Sequence, residues 1–433
     1  MSRLLYRWLV FVAVPFACAF FLLRALRGHR GEFRGLSQRL GYGPHANAPS
    51  IWLHAVSVGE VQAGAALVRA LQARYPQTPL TLTTTTGTGA ARARALFGDS
   101  IDVRFLPFDS TGCVRRFLER VRPKIAIILE KELWPTLYGA CAARQIPVLL
   151  ASATVSARAC ARYRRFASLF EEVFARGLMV AAQTERDAER FRAMGVAAPR
   201  VSTLGNLKFD LALPARLDEH GRALRERFGW QNRLVLVGGS TYEAEEAALL
   251  EVQRRLHREG IDIALVLAPR QPTRFNAVAE RLQAAGVAFA RQSSGAQLER
   301  PDVLLLDTLG ELMGAYAAAD IAFVGGSLVE KIGGHNLIEP AALAVATLSG
   351  PNGYNAPDVG AALVAEGALS IVGDDESLIA SVRQLATDSA ERRRRGELGR
   401  AFVERNRGTL LRLLALIEPI ISAQPPRPSP TNH

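Results

Sequence analysis

Residues 51–60 have the sequence IWLHAVSVGE, and a segment rich in Ala and Leu follows from Val61. The apolar run Ile51–Val56 has the length of a buried strand, and the segment after it has helical length. Gly59 in the connecting loop permits an unusual backbone angle, and Glu60 lies where the helix begins. A strand that runs through a short loop into a helix is the opening unit of a parallel α/β sheet.

The same alternation of strand and helix continues along the chain. The first series of predicted strands is Ile51–Val56, Leu80–Thr85, Val103–Pro107, Ile125–Leu129, Val148–Ala151, Gly177–Ala182 and Val201–Leu204. The second series is Leu234–Gly238, Ile263–Leu267, Val303–Leu306, Ile321–Val324 and Ala346–Ser349. We therefore predict two Rossmann-like, doubly wound domains, at 51–212 and 213–423, with a ligand cleft at the carboxyl ends of the strands.

The N-terminal segment has the composition of a membrane anchor. Its charge-free run Trp8–Leu23 is flanked by arginines, which are Arg3, Arg7, Arg24, Arg27, Arg30 and Arg34. The heavier positive flank lies on the C-terminal side, which predicts that the rest of the chain is cytoplasmic. We interpret 1–28 as an anchor helix and 29–50 as a basic connector on anionic headgroups, with a buried core helix as the alternative. The proline-rich tail 424–433 is predicted to be disordered.

The net charge limits the possible classes of binding partner, and the cysteine pattern indicates the cellular compartment. The 433 residues carry a formal net charge of +12, which favours nucleic acid, anionic lipid or a nucleotide sugar. The sequence contains no nucleic-acid-binding motif, so we expect no nucleic acid partner. The cysteines form neither a C-x-x-C pair nor a metal-ligand spacing; they are Cys18, Cys113, Cys141 and Cys160. This pattern predicts reduced thiols and a cytosolic catalytic body.

Glu60 is the leading candidate for acid–base chemistry in the first series. A carboxylate at the mouth of the first strand has the chemistry to take a proton from an acceptor hydroxyl. The alternative is a first-turn Glu that only complements the helix dipole. The next strand leads into residues 83–89, TTTTGTG, a hydroxyl-rich loop suited to phosphate or sugar. That loop lacks the lysine of a P-loop, which argues against an ATPase.

Other candidate groups follow later strands. Residues 130–135, EKELWP, place two carboxylates after the fourth strand, where Lys131 or Lys208 offers them a cationic partner. Arg270 ends a strand of the second series and suits an anionic ligand, with a surface ion pair as the alternative. In the stretch 325–339, we expect backbone amides to hold a phosphate and Glu339 to accept from ribose hydroxyls. His335 has no second ligand at metal spacing, so we expect no metal.

Four separated motifs resemble the Kdo (3-deoxy-D-manno-octulosonic acid) transferase family over essentially the whole chain. They are residues 53–60 (LHAVSVGE), 130–135 (EKELWP), 207–210 (LKFD) and 323–336, which begins FVGGS and ends GGHN. The resemblance implies an α/β GT-B fold and a transferase that moves Kdo from CMP-Kdo to a lipid A precursor. It also implies the inner membrane, on the cytoplasmic side, and no cofactor beyond the donor substrate.

The resemblance also implies roles for residues. Glu60 is the implied proton acceptor, and Glu130 and Lys208 are implied to stabilise the transition state. The CMP moiety is implied to bind Pro269, Arg270, Leu309, Gly310, Glu311, Asn336, Leu337, Ile338 and Glu339. This sequence departs from the family pattern at Ser152, Thr154, Gln271 and Asn352, which bears on acceptor choice and donor binding. A GT-B enzyme of other specificity, a nucleotide-sugar epimerase and an inactive binding paralogue remain as alternatives.

Overall fold

The computed structural model describes residues 3–26, 35–211, 213–295, 298–355 and 357–422. The chain divides into two compact units, Met1–Leu211 with Arg407–His433, and Ala212–Asn406. Arg27, Arg30 and Arg34 of the predicted anchor flank, part of the predicted connector and the predicted disordered tail lie outside the described residues.

The first unit contains a parallel sheet and its covering helices. Its strands are β1 (Ser50–His54), β2 (Leu80–Thr84), β3 (Asp102–Phe105), β4 (Pro123–Leu129), β5 (Val148–Ala153), β6 (Leu178–Ala182) and β7 (Val201–Thr203). Its helices are α1 (Arg3–Leu26), α2 (Leu36–Arg39), α3 (Val58–Arg74), α4 (Gly87–Phe97), α5 (Thr111–Val121), α6 (Pro135–Ala143), α7 (Ala157–Arg165), α8 (Glu171–Arg176) and α9 (Glu185–Ala193). Among the described residues the strand order is β3-β2-β1-β4-β5-β6-β7, with parallel pairings.

This order places the change of direction of the sheet at β1, which pairs with β2 on one side and β4 on the other. Open α/β sheets bind ligands outside the carboxyl ends of the strands at such a switch point. The strand is buried on both faces, because Trp52 belongs to one apolar core and Ile51 and Leu53 belong to the other. The loops after β1 and β4 are therefore the places where a ligand site is expected in this unit.

The second unit repeats the design. Its strands are β8 (Leu234–Thr241), β9 (Ile263–Pro269), β10 (Phe289–Arg291), β11 (Val303–Leu305), β12 (Ile321–Val324), β13 (Ala346–Ser349) and β14 (Leu369–Ile371). Its helices are α10 (Leu217–Arg227), α11 (Glu243–Arg258), α12 (Phe275–Ala284), α13 (Leu312–Ala317), α14 (Ile338–Ala342), α15 (Pro357–Ala365), α16 (Asp375–Thr387) and α17 (Ser389–Asn406). In the described part of this unit the order is β10-β11-β9-β8-β12-β13-β14, so the switch point lies at β8. The three-residue strands β10 and β14 were not predicted.

The last helix, α18 (Thr409–Ser422), corrects the predicted domain at 213–423. Leu413, Ile417 and Ile421 pack in the apolar core of the first unit together with Ile51 and Leu53 of β1. Arg74 of α3 also forms an ion pair with Glu418, with 2.7 Å between nitrogen and oxygen. The segment from Arg407 onward therefore completes the first unit, because its apolar face fills that unit's core.

Helix α1 is long and apolar enough to cross a membrane over Leu4–Leu23, by length and composition. The side chains of its apolar run, including Phe11 and Phe16, are largely exposed in the isolated chain. The helix contacts the rest of the first unit: Tyr6 donates to the carboxylate of Asp109 (2.7 Å), and Phe21 packs on Phe108. An uncovered apolar helix of this length is the feature that the anchor hypothesis requires.

Candidate functional site

The loop between β1 and α3 is held by hydroxyl groups from the loop after β2. Thr84, Thr85 and Thr86 each donate to the carbonyl oxygen of Val56, at 2.9, 3.2 and 3.3 Å. These threonines belong to the stretch that was predicted to bind phosphate or sugar. Their hydroxyl groups fix the backbone that leads into Glu60, and the binding of phosphate or sugar by this stretch stays a prediction.

Glu60 lies in the first turn of α3, which begins three residues earlier than predicted. Its Oε2 accepts a hydrogen bond from the backbone N–H of Val56 at 2.7 Å, as expected for an acid at a helix N-terminus. Burial raises the pKa of Glu60 to about 7, with a further contribution from the negative charges of Glu130 and Glu132. A carboxyl group with this pKa is half deprotonated near neutral pH, which suits a general base.

Glu130 and Lys208 form an ion pair beside Glu60. The Lys208 Nζ lies 2.6 Å from Glu130 Oε1, and the two side chains are 29% and 14% exposed. Glu130 directly follows β4 and has φ of 60°, a left-handed conformation that is uncommon for residues other than glycine. The positive charge of Lys208 lowers the pKa of Glu60, although burial outweighs it. The structure thus brings together the three residues that the resemblance assigned to catalysis.

In the second unit, the residues after β8 and β9 form the corresponding edge. Pro269 ends β9, and the backbone N–H of Arg270 bonds to the carbonyl of Thr241 at 3.0 Å. The Arg270 side chain is exposed, and its charge reaches both His335 and Glu339, since it lowers the pKa of each. Arg270 therefore lies with two of the residues of the 325–339 stretch, as the predicted donor site requires.

In the glycine loop after β12, an internal carboxylate binds the amides of residues 326–328, so these three are not open to a phosphate. Phosphate binding by the other amides of the stretch 325–339 stays a prediction. Glu245, fully buried, accepts from the N–H groups of Gly326 (2.8 Å), Ser327 (2.9 Å) and Leu328 (3.0 Å). Its Oε2 also accepts from the N–H of Tyr242 at 3.0 Å. Buried amides need such partners, and Glu245 satisfies them without a ligand. Glu245 itself lies in the first turn of α11.

The turn into α14 has its own polar contacts. Asn336 donates to Glu339 (3.1 Å) and accepts from the N–H of Ile338 (3.1 Å), while Leu337 and Ile338 are buried. Burial raises the pKa of Glu339. The ring of His335 stacks on Tyr242 with 5.9 Å between centroids, and burial lowers its pKa to about 4. His335 is therefore neutral at physiological pH.

The predicted group 309–311 lies at the start of α13. Leu309 is 75% exposed, Gly310 has φ of 89°, and Glu311 accepts from Gln292 (2.9 Å) and Thr308 (2.7 Å). Helix α13 links residues 309–311 to the other predicted donor-site residues. Its Tyr316 packs against Gly239, and the negative charge of Glu339 contributes to the raised pKa of Tyr316. Within the described residues, no group of three or more His, Cys, Asp or Glu side chains is arranged to hold a metal ion. The expectation of a metal-free site stays a prediction.

Comparison with known proteins identifies the family. A family model described as 3-deoxy-D-manno-octulosonic-acid transferase (kdotransferase) matches residues 34–211. A 3-deoxy-D-manno-octulosonic acid transferase of Haemophilus influenzae is 36% identical over 426 residues, covering 97% of this chain and 99% of the relative. The chain belongs to the Kdo transferase family. A second member, from Bordetella pertussis, is 38% identical over 385 residues, covering 87% of this chain and 88% of the relative.

Membership makes the protein a glycosyltransferase of lipopolysaccharide biosynthesis, as the motifs predicted. Two solved structures share its GT-B fold. A UDP-GlcNAc 2-epimerase from Neisseria meningitidis is 13% identical, with a TM-score of 0.57, and covers 85% of this chain and 100% of its own. A glycosyltransferase from Rickettsia africae is 12% identical, with a TM-score of 0.55, and covers 88% and 100%. At this identity the epimerase shares the fold alone, whereas the Kdo transferases share the sequence.

Two of the departures from the family pattern lie behind the Glu130–Lys208 pair. Ser152 has φ of 55°, and its hydroxyl accepts from the N–H of Leu207 at 3.0 Å. Serine adopts this left-handed backbone less readily than glycine or asparagine does. Thr154 bonds through its N–H to the carbonyl of Glu130 (3.3 Å) and through its hydroxyl to Asp187 (3.2 Å). Ser152 therefore supports the segment of Lys208 through its side chain, whereas Thr154 contacts Glu130 through its backbone alone.

Proposed function

We propose that the protein transfers Kdo from CMP-Kdo to a hydroxyl group of a lipid A precursor, with inversion at the anomeric carbon. The observation that carries the proposal is the Glu60 carboxyl group, with a pKa near 7, beside the Glu130–Lys208 pair. An acceptor hydroxyl is a weak nucleophile, and a carboxylate poised near the working pH is suited to take its proton. Family membership supports the choice of the transferred sugar.

The proposed step is a direct displacement. The acceptor oxygen forms a bond to the anomeric carbon as its proton moves to Glu60. The bond from that carbon to the phosphate oxygen breaks, and CMP leaves with the electron pair. Lys208, held by Glu130, stabilises the negative charge that develops. Attack on the face opposite the leaving group inverts the configuration.

The second unit is proposed to hold the CMP moiety. Arg270 is suited to the phosphate, and Asn336 and Glu339 are suited to the ribose hydroxyls, since both carry polar side-chain atoms at the start of α14. The remaining proposed contacts are Pro269, Leu309, Gly310, Glu311, Leu337 and Ile338. This assignment uses no metal ion and no cofactor other than the donor substrate.

One assay tests the function. The purified full chain is incubated with CMP-Kdo and a tetraacylated lipid A precursor, with and without a chelator, and the lipid is weighed by mass spectrometry. We expect the lipid to gain the mass of one or more Kdo residues under both conditions. An unchanged lipid mass with intact CMP-Kdo refutes the function. A changed sugar nucleotide without acceptor supports the epimerase alternative instead.

Arg270→Ala is expected to raise the KM for CMP-Kdo about tenfold while kcat changes little, because its contact with the donor forms before the chemical step. Steady-state kinetics against CMP-Kdo measures both constants. Arg300→Ala is the control, since it also removes an exposed arginine of this unit, one that pairs with Asp262 at the opposite edge of the sheet. An unchanged KM in Arg270→Ala removes this residue from the donor site.

We further propose that α1 anchors the protein in the inner membrane with both units on the cytoplasmic side. The apolar helix and the arginines of the sequence around it support this orientation. Deletion of residues 1–28 is expected to move the protein from the membrane pellet to the soluble fraction after cell lysis without detergent. Recovery of the full chain in the soluble fraction, or cleavage of its body by protease added to the periplasm, contradicts the proposal.

A further inference from the structure

The segment that carries Lys208 is a three-residue 3₁₀ turn, Leu207–Phe209. A turn this short has few hydrogen bonds of its own, so neighbouring elements must fix its position. The N–H of Lys208 bonds to the side-chain oxygen of Asn206 at 2.9 Å, and the N–H of Leu207 bonds to Ser152. Asn206 also donates to Gln183 at 3.0 Å, and Gln183 donates to the carbonyl of Ser152 at 2.9 Å. These bonds tie the start of the turn to the ends of β5 and β6.

The end of the turn is held by a different element, the start of α18. The two carboxylate oxygens of Asp210 accept from the N–H groups of Gly408 and Leu410, each at 2.6 Å. Arg412 of the same helix donates to the carbonyl of Leu204 at 2.9 Å. Asp210 thus makes two charge-assisted bonds at a helix N-terminus, where a negative charge is favoured.

We propose that Asp210 is a positioning residue for Lys208: its bonds to the start of α18 hold the turn so that Nζ stays against Glu130. The proposal rests on the role proposed above for Lys208 in the transfer. Without Asp210 the turn loses its two hydrogen bonds to the start of α18, and we expect the ammonium group to sample positions away from Glu130. A small displacement of a charge-stabilising group is enough to slow a reaction.

Asp210→Ala tests the proposal. We expect kcat for Kdo transfer to fall roughly tenfold with the KM for CMP-Kdo within about twofold of the original. We also expect the double variant Asp210→Ala/Lys208→Ala to be no slower than Lys208→Ala, because Asp210 acts through Lys208. The pH at which the rate is half-maximal should move upward, since Lys208 lowers the pKa of Glu60 while Glu130 and Glu132 raise it.

Two further variants separate positioning from folding. Asp374→Ala is the control, because Asp374 also caps a helix start, accepting from the N–H of Ser377 at 2.8 Å in the second unit. Its kinetics should match the original protein. Asp210→Asn keeps one accepting oxygen and should show an intermediate kcat, which provides a test if Asp210→Ala does not fold.

Several outcomes overturn the inference: kinetics of Asp210→Ala like those of Asp374→Ala, additive losses in the double variant, or an unmoved pH midpoint. Hydrogen exchange of the peptide 204–210 supplies a readout that does not depend on transfer. Exchange at Leu207 and Lys208 should quicken in Asp210→Ala and stay unchanged in Asp374→Ala. If the original protein transfers no Kdo, the proposed function fails, while unchanged exchange refutes the positioning role by itself.

Discussion

Glu60→Gln is expected to lower Kdo transfer roughly 10²-fold or more while the melting temperature stays close to that of the original protein. Glutamine keeps an oxygen that accepts from the N–H of Val56 but cannot take a proton. Initial transfer rates and thermal melting measure the two effects. If Glu60 serves only the helix dipole, transfer is preserved and stability falls by roughly 0.3–1 kcal/mol.

The control for this variant is Glu185→Gln. Glu185 also lies in the first turn of a helix of the same unit, α9, and it is exposed and paired with Arg192. It should change transfer little. The original protein should gain activity as the pH rises through about 7, because Glu60 must lose its proton to act as a base. A pH profile without that rise, or near-native transfer by Glu60→Gln, removes Glu60 from the catalytic step.

Lys208→Ala is expected to lower kcat roughly 10²- to 10³-fold, the range seen when one preorganised charge-stabilising donor is removed. The KM for CMP-Kdo should change little, because the charge matters most as the phosphate leaves. The variant also leaves the half-buried carboxylate of Glu130 without its cation. Removal of the positive charge should raise the pKa of Glu60, so the rise of activity with pH should shift to higher pH.

Two further variants serve as controls for Lys208→Ala: the conservative change Lys208→Arg, and Lys124→Ala at a lysine outside the site. Arginine keeps the charge, so Lys208→Arg should retain more activity than Lys208→Ala. Lys124 lies at the other end of β4, away from the carboxyl edge of the sheet, and its replacement should leave kcat unchanged. Equal rates in Lys208→Ala and the original protein contradict a role in the transition state.

The sequence was sufficient to place Glu60 and Glu130 at the same edge of the first sheet, and the pairing of β1 with β4 then brings them close together. Both follow buried apolar strands, and the carboxyl ends of adjacent parallel strands meet at one edge of a sheet. The alternation of strands and helices also predicted the two sheets. The pKa of Glu60 was beyond prediction, since it depends on burial by residues distant in the sequence.

The features that escaped prediction are long-range or lack a local signal. Asp210 and Gly408 are hydrogen-bonded although the whole second unit separates them in the sequence. Nothing in the sequence near either residue specifies that contact. Glu245 has the pattern of any acid in a first helical turn, yet it fills the amide pocket of the 326–328 loop. Strands β10 and β14 are three residues long and lie at sheet edges, where apolar patterning is weakest.

The return of the chain to the first unit has a consequence for biosynthesis. During translation, the core formed by β1 and α3 lacks Leu413, Ile417 and Ile421 until the whole second unit has emerged from the ribosome. The first unit is thus begun first and finished last, and its unfilled core is exposed meanwhile to chaperones and proteases. A nonsense mutation just before α18 therefore destabilises the first unit, because it removes part of that unit's apolar core. The hydrogen bond between Asp210 and Gly408 also brings together the two places where the chain passes from one unit to the other. An in-frame fusion of residue 211 to residue 407 is therefore a natural way to produce the first unit alone.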